Sequence, residues 1–206
     1  GMQRIGVASG LARGIDTAAH RGNLDGCGKT VAVLGCGIDR VYPLSNRELA
    51  RRILERGGAI VSEYYPGVPP LTYHFPERNR IISGLSEGVV IVEAPAKSGA
   101  LITADYALDQ GRELFVHRAG LSGPSSAGSM SLSEDGARVI DTVSDIACEL
   151  GWPVEPCTSQ EIRTSEKEAL PEGMELAHEL LDELSGSLVS FRGRRFRLRD
   201  PGGKKS

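Results

Sequence analysis

Four short stretches of this chain carry side chains suited to holding an anion. Lys97, Ser98 and Gly99 place a cation, a hydroxyl and an unobstructed backbone in one loop. The loop Ser9-Gly10-Leu11-Ala12-Arg13-Gly14 repeats that arrangement with Arg13 as its cation. Arg78-Asn79-Arg80 adds two guanidinium groups and an amide, and Arg40 closes a third glycine-containing loop, Gly35 to Arg40, with Arg47 further on. Backbone N–H groups at Gly10, Gly14, Ser98 and Gly99 can take phosphate oxygens, with charge from Lys97, Arg13 and Arg78 or Arg80. The chemistry indicated is phosphate binding.

Bond-breaking chemistry has no comparable support. No Ser/His/Asp set or pair of carboxylates converges in these loops, so no catalytic residue is expected. His20, His74, His117 and His178 show no metal-ligand spacing, and Cys27, Cys36, Cys148 and Cys157 form no Cys-x-x-Cys pair. Neither metal nor cofactor is expected, and the thiols read as reduced residues of a cytoplasmic protein. The glycines at 10 and 14, and at 35 and 37, do not make the G-x-G-x-x-G dinucleotide pattern. Structural alternatives stand beside each candidate: Arg13 can pair with Asp16, Arg78 and Arg80 can bond loop carbonyls, and Glu93 can orient one of them. Lys97, in a glycine-flanked loop, has no such alternative.

These loops need elements to position them. Apolar runs at Ile5–Ala8, Thr30–Leu34, Ala59–Ser62, Val89–Val92 and Glu113–Val116 read as buried strands, with a short edge strand at Arg138–Ile140. Helical patterns follow them from Ile15, over Asn46–Arg56 behind a Ser45/Glu48 capping box, over Pro76–Leu85, from Leu101 to Leu108, and over Val143–Leu150. The inward residues are read as Leu49, Ile53 and Leu54 in the second helix and Ile81, Ile82 and Leu85 in the third. Cys148 is read on the inner face of the last helix, and Ala119–Ser133, rich in Gly and Ser, as a mobile loop. Alternating strands and helices give an α/β fold, a Rossmann-like, doubly wound, mostly parallel sheet. In such a sheet ligands sit beyond the carboxyl ends of the strands, where all the candidate loops fall.

Charge divides the chain. Residues 1–133 hold 14 Lys/Arg against 12 Asp/Glu, residues 134–183 hold 3 against 14, and residues 184–206 hold 7 against 1. Residues 1–150 are expected to form the main domain and 151–172 a linker. Residues 173–206 are expected to form a helix and a basic β-hairpin, a small appendage resembling the remnant of a winged helix. No apolar run suits a membrane span.

The segments SGLARGIDTAAH (9–20), KTVAVLGCGIDRVYP (29–43), VSEYYPG (61–67) and HFPERNRIISGLSEGVVIVEAPAKSGALITADYALDQGRE (74–113) resemble the DNA-processing protein A family, also called DprA or Smf. The resemblance implies a Rossmann-like domain that binds single-stranded DNA without a cofactor, forms a homodimer and loads a RecA-type recombinase in natural transformation. It carries over to Ser9, Gly10, Arg13, Gly14, Arg78, Asn79, Arg80, Lys97, Ser98 and Gly99. The family's first strand and Gly-Ser-Arg loop would precede residue 1, its Pro-Gly-Ser turn is replaced by HRAGLSG at 117–123, and its winged helix survives only as the last helix and hairpin. Two other readings compete: a nucleotide-binding enzyme of the phosphoribohydrolase type, whose PGGxGT loop is APAKSGA here, and a protein-interaction module that keeps only the fold.

Overall fold

Six short strands form where β-branched and apolar residues cluster, and the computed structural model describes residues 6–152. They are β1 (Val7–Ser9), β2 (Thr30–Leu34), β3 (Ala59–Ser62), β4 (Gly88–Ile91), β5 (Glu113–His117) and β6 (Arg138–Ile140). Between them lie α1 (Ile15–Asp25), α2 (Arg47–Glu55), α3 (His74–Gly84), α4 (Gly99–Asp109) and α5 (Ala127–Glu134), and α6 (Val143–Glu149) closes the described chain. Every strand pairing is parallel, and the ladder falls into two three-stranded sheets, β1-β2-β3 and β4-β5-β6. The expected α/β, doubly wound, parallel architecture is present, with β6 at an edge as read.

Apolar packing joins what the ladder does not. Alternate residues of β4 and β5 face opposite ways, as the strand period requires. Val89, Ile91, Leu114 and Val116 pack with Ala100, Ala104 and Ala107 of α4. Val90 and Phe115 pack instead with Ile146 and Ala147 of α6 and with Val7, Ile15 and Ala19 from the first half of the chain. A third cluster combines Ala32 and Leu34 of β2 with Leu24 of α1 and Leu49, Ala50 and Ile53 of α2. Trp152, buried in the shared cluster, donates from Nε1 to Glu87 at 3.0 Å and pins the end of the described chain beneath β4.

The structure corrects several local readings. Ser45 and Glu48 form no capping box: Leu44–Asn46 is a 3₁₀ turn, and α2 starts without a side-chain cap bond. Leu54 and Leu85 are exposed, so the buried stripes of their helices are narrower than read. Cys148 is exposed as well.

The expected mobile loop at 119–133 holds a 3₁₀ turn, Arg118–Leu121, and helix α5. Small residues permit this rather than prevent it. The N–H groups of Gly128 and Ser129 both donate to the Ala94 carbonyl, and Ser129 Oγ accepts from Ala94 N at 2.8 Å. A Cβ on Gly128 would stand 2.7 Å from the carbonyl oxygens of Ala94 and Pro95, so a larger residue would push the helix off the end of β4.

The residues beyond Trp152, including the expected linker, helix and hairpin, lie outside the described part. Among the described residues no helix is long and apolar enough to cross a membrane.

Candidate nucleic-acid interface

Helix α3 brings the candidate loops to one end of the molecule. Arg78 Nη1 donates to the carbonyls of Gly10 (2.7 Å) and Val33, at the carboxyl ends of β1 and β2. The next residue, Asn79, donates through Nδ2 to the Gly99 carbonyl at the start of α4, at 3.4 Å. Neighbouring side chains thus reach the loop after β1 and the loop after β4, so the Arg13 and Lys97 loops share one rim.

The loop after β1 is built from its own side chains. Asp16 Oδ2 accepts from the N–H groups of Gly10 and Ala12, both at 3.0 Å. Asn46 Nδ2 binds the carbonyls of Leu11 (2.9 Å) and Ala12 (3.1 Å) and so fastens the loop to the turn before α2. Gly14, at φ 78°, takes the left-handed backbone that turns the chain into α1. Burial raises the Asp16 carboxyl above its usual range, and the nearby Arg78 charge, the two amides and the Ser9 hydroxyl draw it back.

Burial therefore sorts the candidates. Arg78 is 4% exposed, with its guanidinium on carbonyls and on Asn79 Oδ1 (3.0 Å), and it lies over the Phe75 ring at 5.9 Å. Gly10 has no side chain because Arg78 occupies that space: a Cβ there would stand 2.1 Å from Nη2. The Gly10 N–H is held by Asp16, and the Ser98 N–H bonds the Pro95 carbonyl at 3.1 Å. Ser98 Oγ caps α4 by accepting from Ala100 N at 3.1 Å. Ser9 and Asn79 are buried as well. Arg80 is exposed and paired with Glu63, and Arg40 is exposed with Asp39 3.7 Å away.

Arg13 and Lys97 remain as exposed cations that form no ion pair among the described residues, as does Arg47. The N–H groups of Gly14 and Gly99, at the starts of α1 and α4, make no hydrogen bond within the described chain. Nothing lies within 4 Å of where a Gly99 Cβ would be, so a ligand can approach the backbone there unobstructed. Each loop thus offers one open cation beside one open helix-terminal amide, an arrangement suited to anionic oxygens.

Exposed aromatic residues that are not among the sequence candidates lie after β2, after β3 and at the start of α3. Tyr65 is 84% exposed, Tyr73 57% and Tyr42 48%. Tyr42 packs on Phe75 with ring centroids 5.5 Å apart, while His74 stacks on Tyr64 at 3.9 Å and meets the edge of Tyr73 at 4.6 Å. Burial and a bond to Glu77 push the Tyr64 hydroxyl up to about 12. The signal was present in YYPGVPPLTY (64–73), a run with three tyrosines and no charge. Among the described residues no group of three or more His, Cys, Asp or Glu could hold a metal.

A family model described as DNA recombination-mediator protein A matches residues 2–151. Protein Smf of Escherichia coli strain K12 is 48% identical over 142 residues, which are 69% of this chain and 38% of that protein. DNA processing protein DprA of Streptococcus pneumoniae is 43% identical over 143 residues, 69% of this chain and 50% of that protein. This chain thus spans half or less of these curated relatives. The X-ray structure of the Streptococcus pneumoniae protein superposes with a TM-score of 0.63 at 41% identity, covering 72% of this chain and 51% of that one. A structure of DNA processing protein A from Helicobacter pylori, described for its single-stranded DNA binding mode, gives 0.62 at 32% identity, covering 69% and 64%.

Proposed function

The chain belongs to the DNA recombination-mediator protein A family, and from that premise we propose that it binds single-stranded DNA across the rim formed by the Arg13 and Lys97 loops. The observation that carries this reading is the pairing of an open cation with an open helix-terminal amide in both loops. Lys97 and the Gly99 N–H take one phosphate, Arg13 and the Gly14 N–H another, and Arg40 and Arg80 add screened charge from the border. Arg78, Asn79, Ser9, Gly10 and Ser98 hold these loops in shape rather than meet the strand directly. Contacts of this kind are blind to base sequence and sensitive to salt, as a protein handling arbitrary strands requires.

The wider reading is that the protein forms a homodimer in the cytoplasm and delivers bound strand to a RecA-type recombinase, acting in DNA processing as a binding protein and not as an enzyme. Its support is membership of the family and the single-stranded DNA binding described for the Helicobacter pylori relative. Fluorescence anisotropy of a labelled oligo-dT, titrated at two salt concentrations with wild type and Lys97→Glu, tests the DNA contact. Tight, salt-sensitive binding that the variant loses is expected. No binding at low salt would sink the proposal and return attention to nucleotides and protein partners.

A further inference from the structure

The exposed tyrosines lie at the carboxyl ends of β2 and β3 and at the start of α3, next along the sheet from the Arg13 loop after β1, and the geometry points to a base-stacking platform formed by Tyr42, Tyr65 and Tyr73. This inference rests on the single-strand reading above and assigns the part of the strand that reading leaves out, the bases.

Three observations carry it. The first is presentation. The loops bearing Tyr42 and Tyr65 are clasped together: Gly37 N donates to the Val68 carbonyl at 2.9 Å, and Gly67 N donates to Asp39 Oδ1 at 2.8 Å. A Cβ on Gly37 would stand 2.6 Å from the Tyr65 carbonyl oxygen, so the two backbones approach as closely as glycine allows. Rings on a fixed loop stack with little ordering cost.

The second is concentration. Four of the chain's five tyrosines lie between residues 42 and 73, at the carboxyl ends of β2 and β3 or at the start of α3. Ile38, Leu44 and Leu71 are also exposed there, which makes an apolar surface where a monomer would ordinarily carry polar side chains.

The third is charge, and it selects the occupant. No acidic residue lies between 64 and 73. The acids at the border are all engaged: Asp39 by Gly67 N and Arg40, Glu63 by Arg80, and Glu77 by the Tyr64 hydroxyl at 3.2 Å. Arg47 is exposed just beyond Leu44, and the Asn46 bonds to Leu11 and Ala12 hold the Arg13 loop against the same turn. Flat rings bordered by unpaired cations match a single strand, whose bases stack on aromatic faces while its phosphates meet arginine and lysine. A purely apolar protein partner would leave those cations without a counterpart.

The test compares the full chain with Tyr65→Ala and Tyr65→Phe for binding to oligo-dT and to an abasic oligonucleotide of equal length. Tyr65→Ala is expected to weaken oligo-dT binding about tenfold, the change that one lost stacked base produces. Tyr65→Phe should keep the wild-type affinity, and all three proteins should bind the abasic strand alike. Because Tyr65 projects into solvent, its removal leaves the fold intact, which a thermal melt verifies. If Tyr65→Ala binds oligo-dT like wild type while Lys97→Glu still loses it, the platform is overturned, the phosphate reading survives, and the surface belongs to a protein partner. Failure of the wild type to bind oligo-dT removes both.

Discussion

Arg78 donates from Nε to Asn79 Oδ1 at 3.0 Å, and this pair of sequence neighbours holds the two halves of the fold by different carbonyls. Arg78 grips Gly10 and Val33 in the first half, and Asn79 grips Gly99 in the second. Two adjacent residues of one helix thereby set the spacing between the loops proposed to meet DNA.

Loss of that grip is expected to cost stability before it costs binding. Arg78→Lys keeps the charge but loses the Nε bond to Asn79 and the planar group packed over Phe75, in a place that is almost fully buried. A loss of about 2–4 kcal/mol in urea unfolding, followed by Trp152 fluorescence, is expected. Gly10→Ala should have a similar effect, because its Cβ enters the volume of the guanidinium. The double variant should be less destabilised than the sum of the singles. Full additivity would show that the two sites do not share one contact.

His20 gives a pH signature. Its Nδ1 lies 2.6 Å from Thr30 Oγ1, and that hydroxyl donates to the Val7 carbonyl, so Nδ1 must carry the proton. Nε2 is then a buried acceptor, and burial, helped by Arg78, lowers the imidazole to about 3 from 6.5. The unfolded chain takes up a proton as pH falls below 6.5 and the folded one does not, so stability declines with falling pH. The slope should approach about 1.4 kcal/mol per pH unit between 6 and 5. His20→Gln, measured by urea midpoint at those two pH values, should lose about one proton's worth of that slope. An unchanged slope would assign it to other groups.

Salt dependence separates the open cations from the engaged ones. Lys97→Gln should lower the slope of log K against log salt by about 0.7, the share of one phosphate contact on a single strand. Arg80→Gln should change it less, since Glu63 already holds that guanidinium. Equal effects would mean that the Arg80 ion pair opens when the strand binds.

Helix α5 is expected to support the Lys97 loop from behind. Ser129→Ala removes the acceptor for the Ala94 N–H in a fully buried place and should cost about 1–3 kcal/mol by thermal or urea unfolding. A cost near zero would mean that the loop after β4 holds its shape without α5.

Periodicity made the frame of this fold legible. Thr30–Leu34, Ala59–Ser62 and Arg138–Ile140 stand where their apolar runs placed them; Thr30–Leu34 is buried along most of its length, while β3 is half-buried and β6 begins exposed at an edge, and their β-branched residues still mark them as strands. Helix α5 was hidden because its packing depends on Gly128 and Ser129 fitting against Ala94, a tertiary contact that composition alone reads as a loop. Among the site residues, the sequence supplied types and not directions. Arg13, Arg78 and Arg80 looked equivalent in the chain, and only the fold turns Arg78 inward and leaves Arg13 open. The tyrosines carry no such mark, because cations and glycines signal a phosphate site and rings in an uncharged loop do not.

Among the described residues no strand pairing joins β1 to β4, so the two halves are held there by side chains and a shared apolar cluster rather than by a continuous backbone ladder. A continuous sheet resists shear through every rung, whereas packed side chains resist it only through their contacts. The gap between the Arg13 and Lys97 loops is therefore the dimension of the rim most open to adjustment, with Arg78 and Asn79 as its stops. A strand laid across both loops would act on the seam as a wedge, and its hold would tighten or loosen with the angle between the halves.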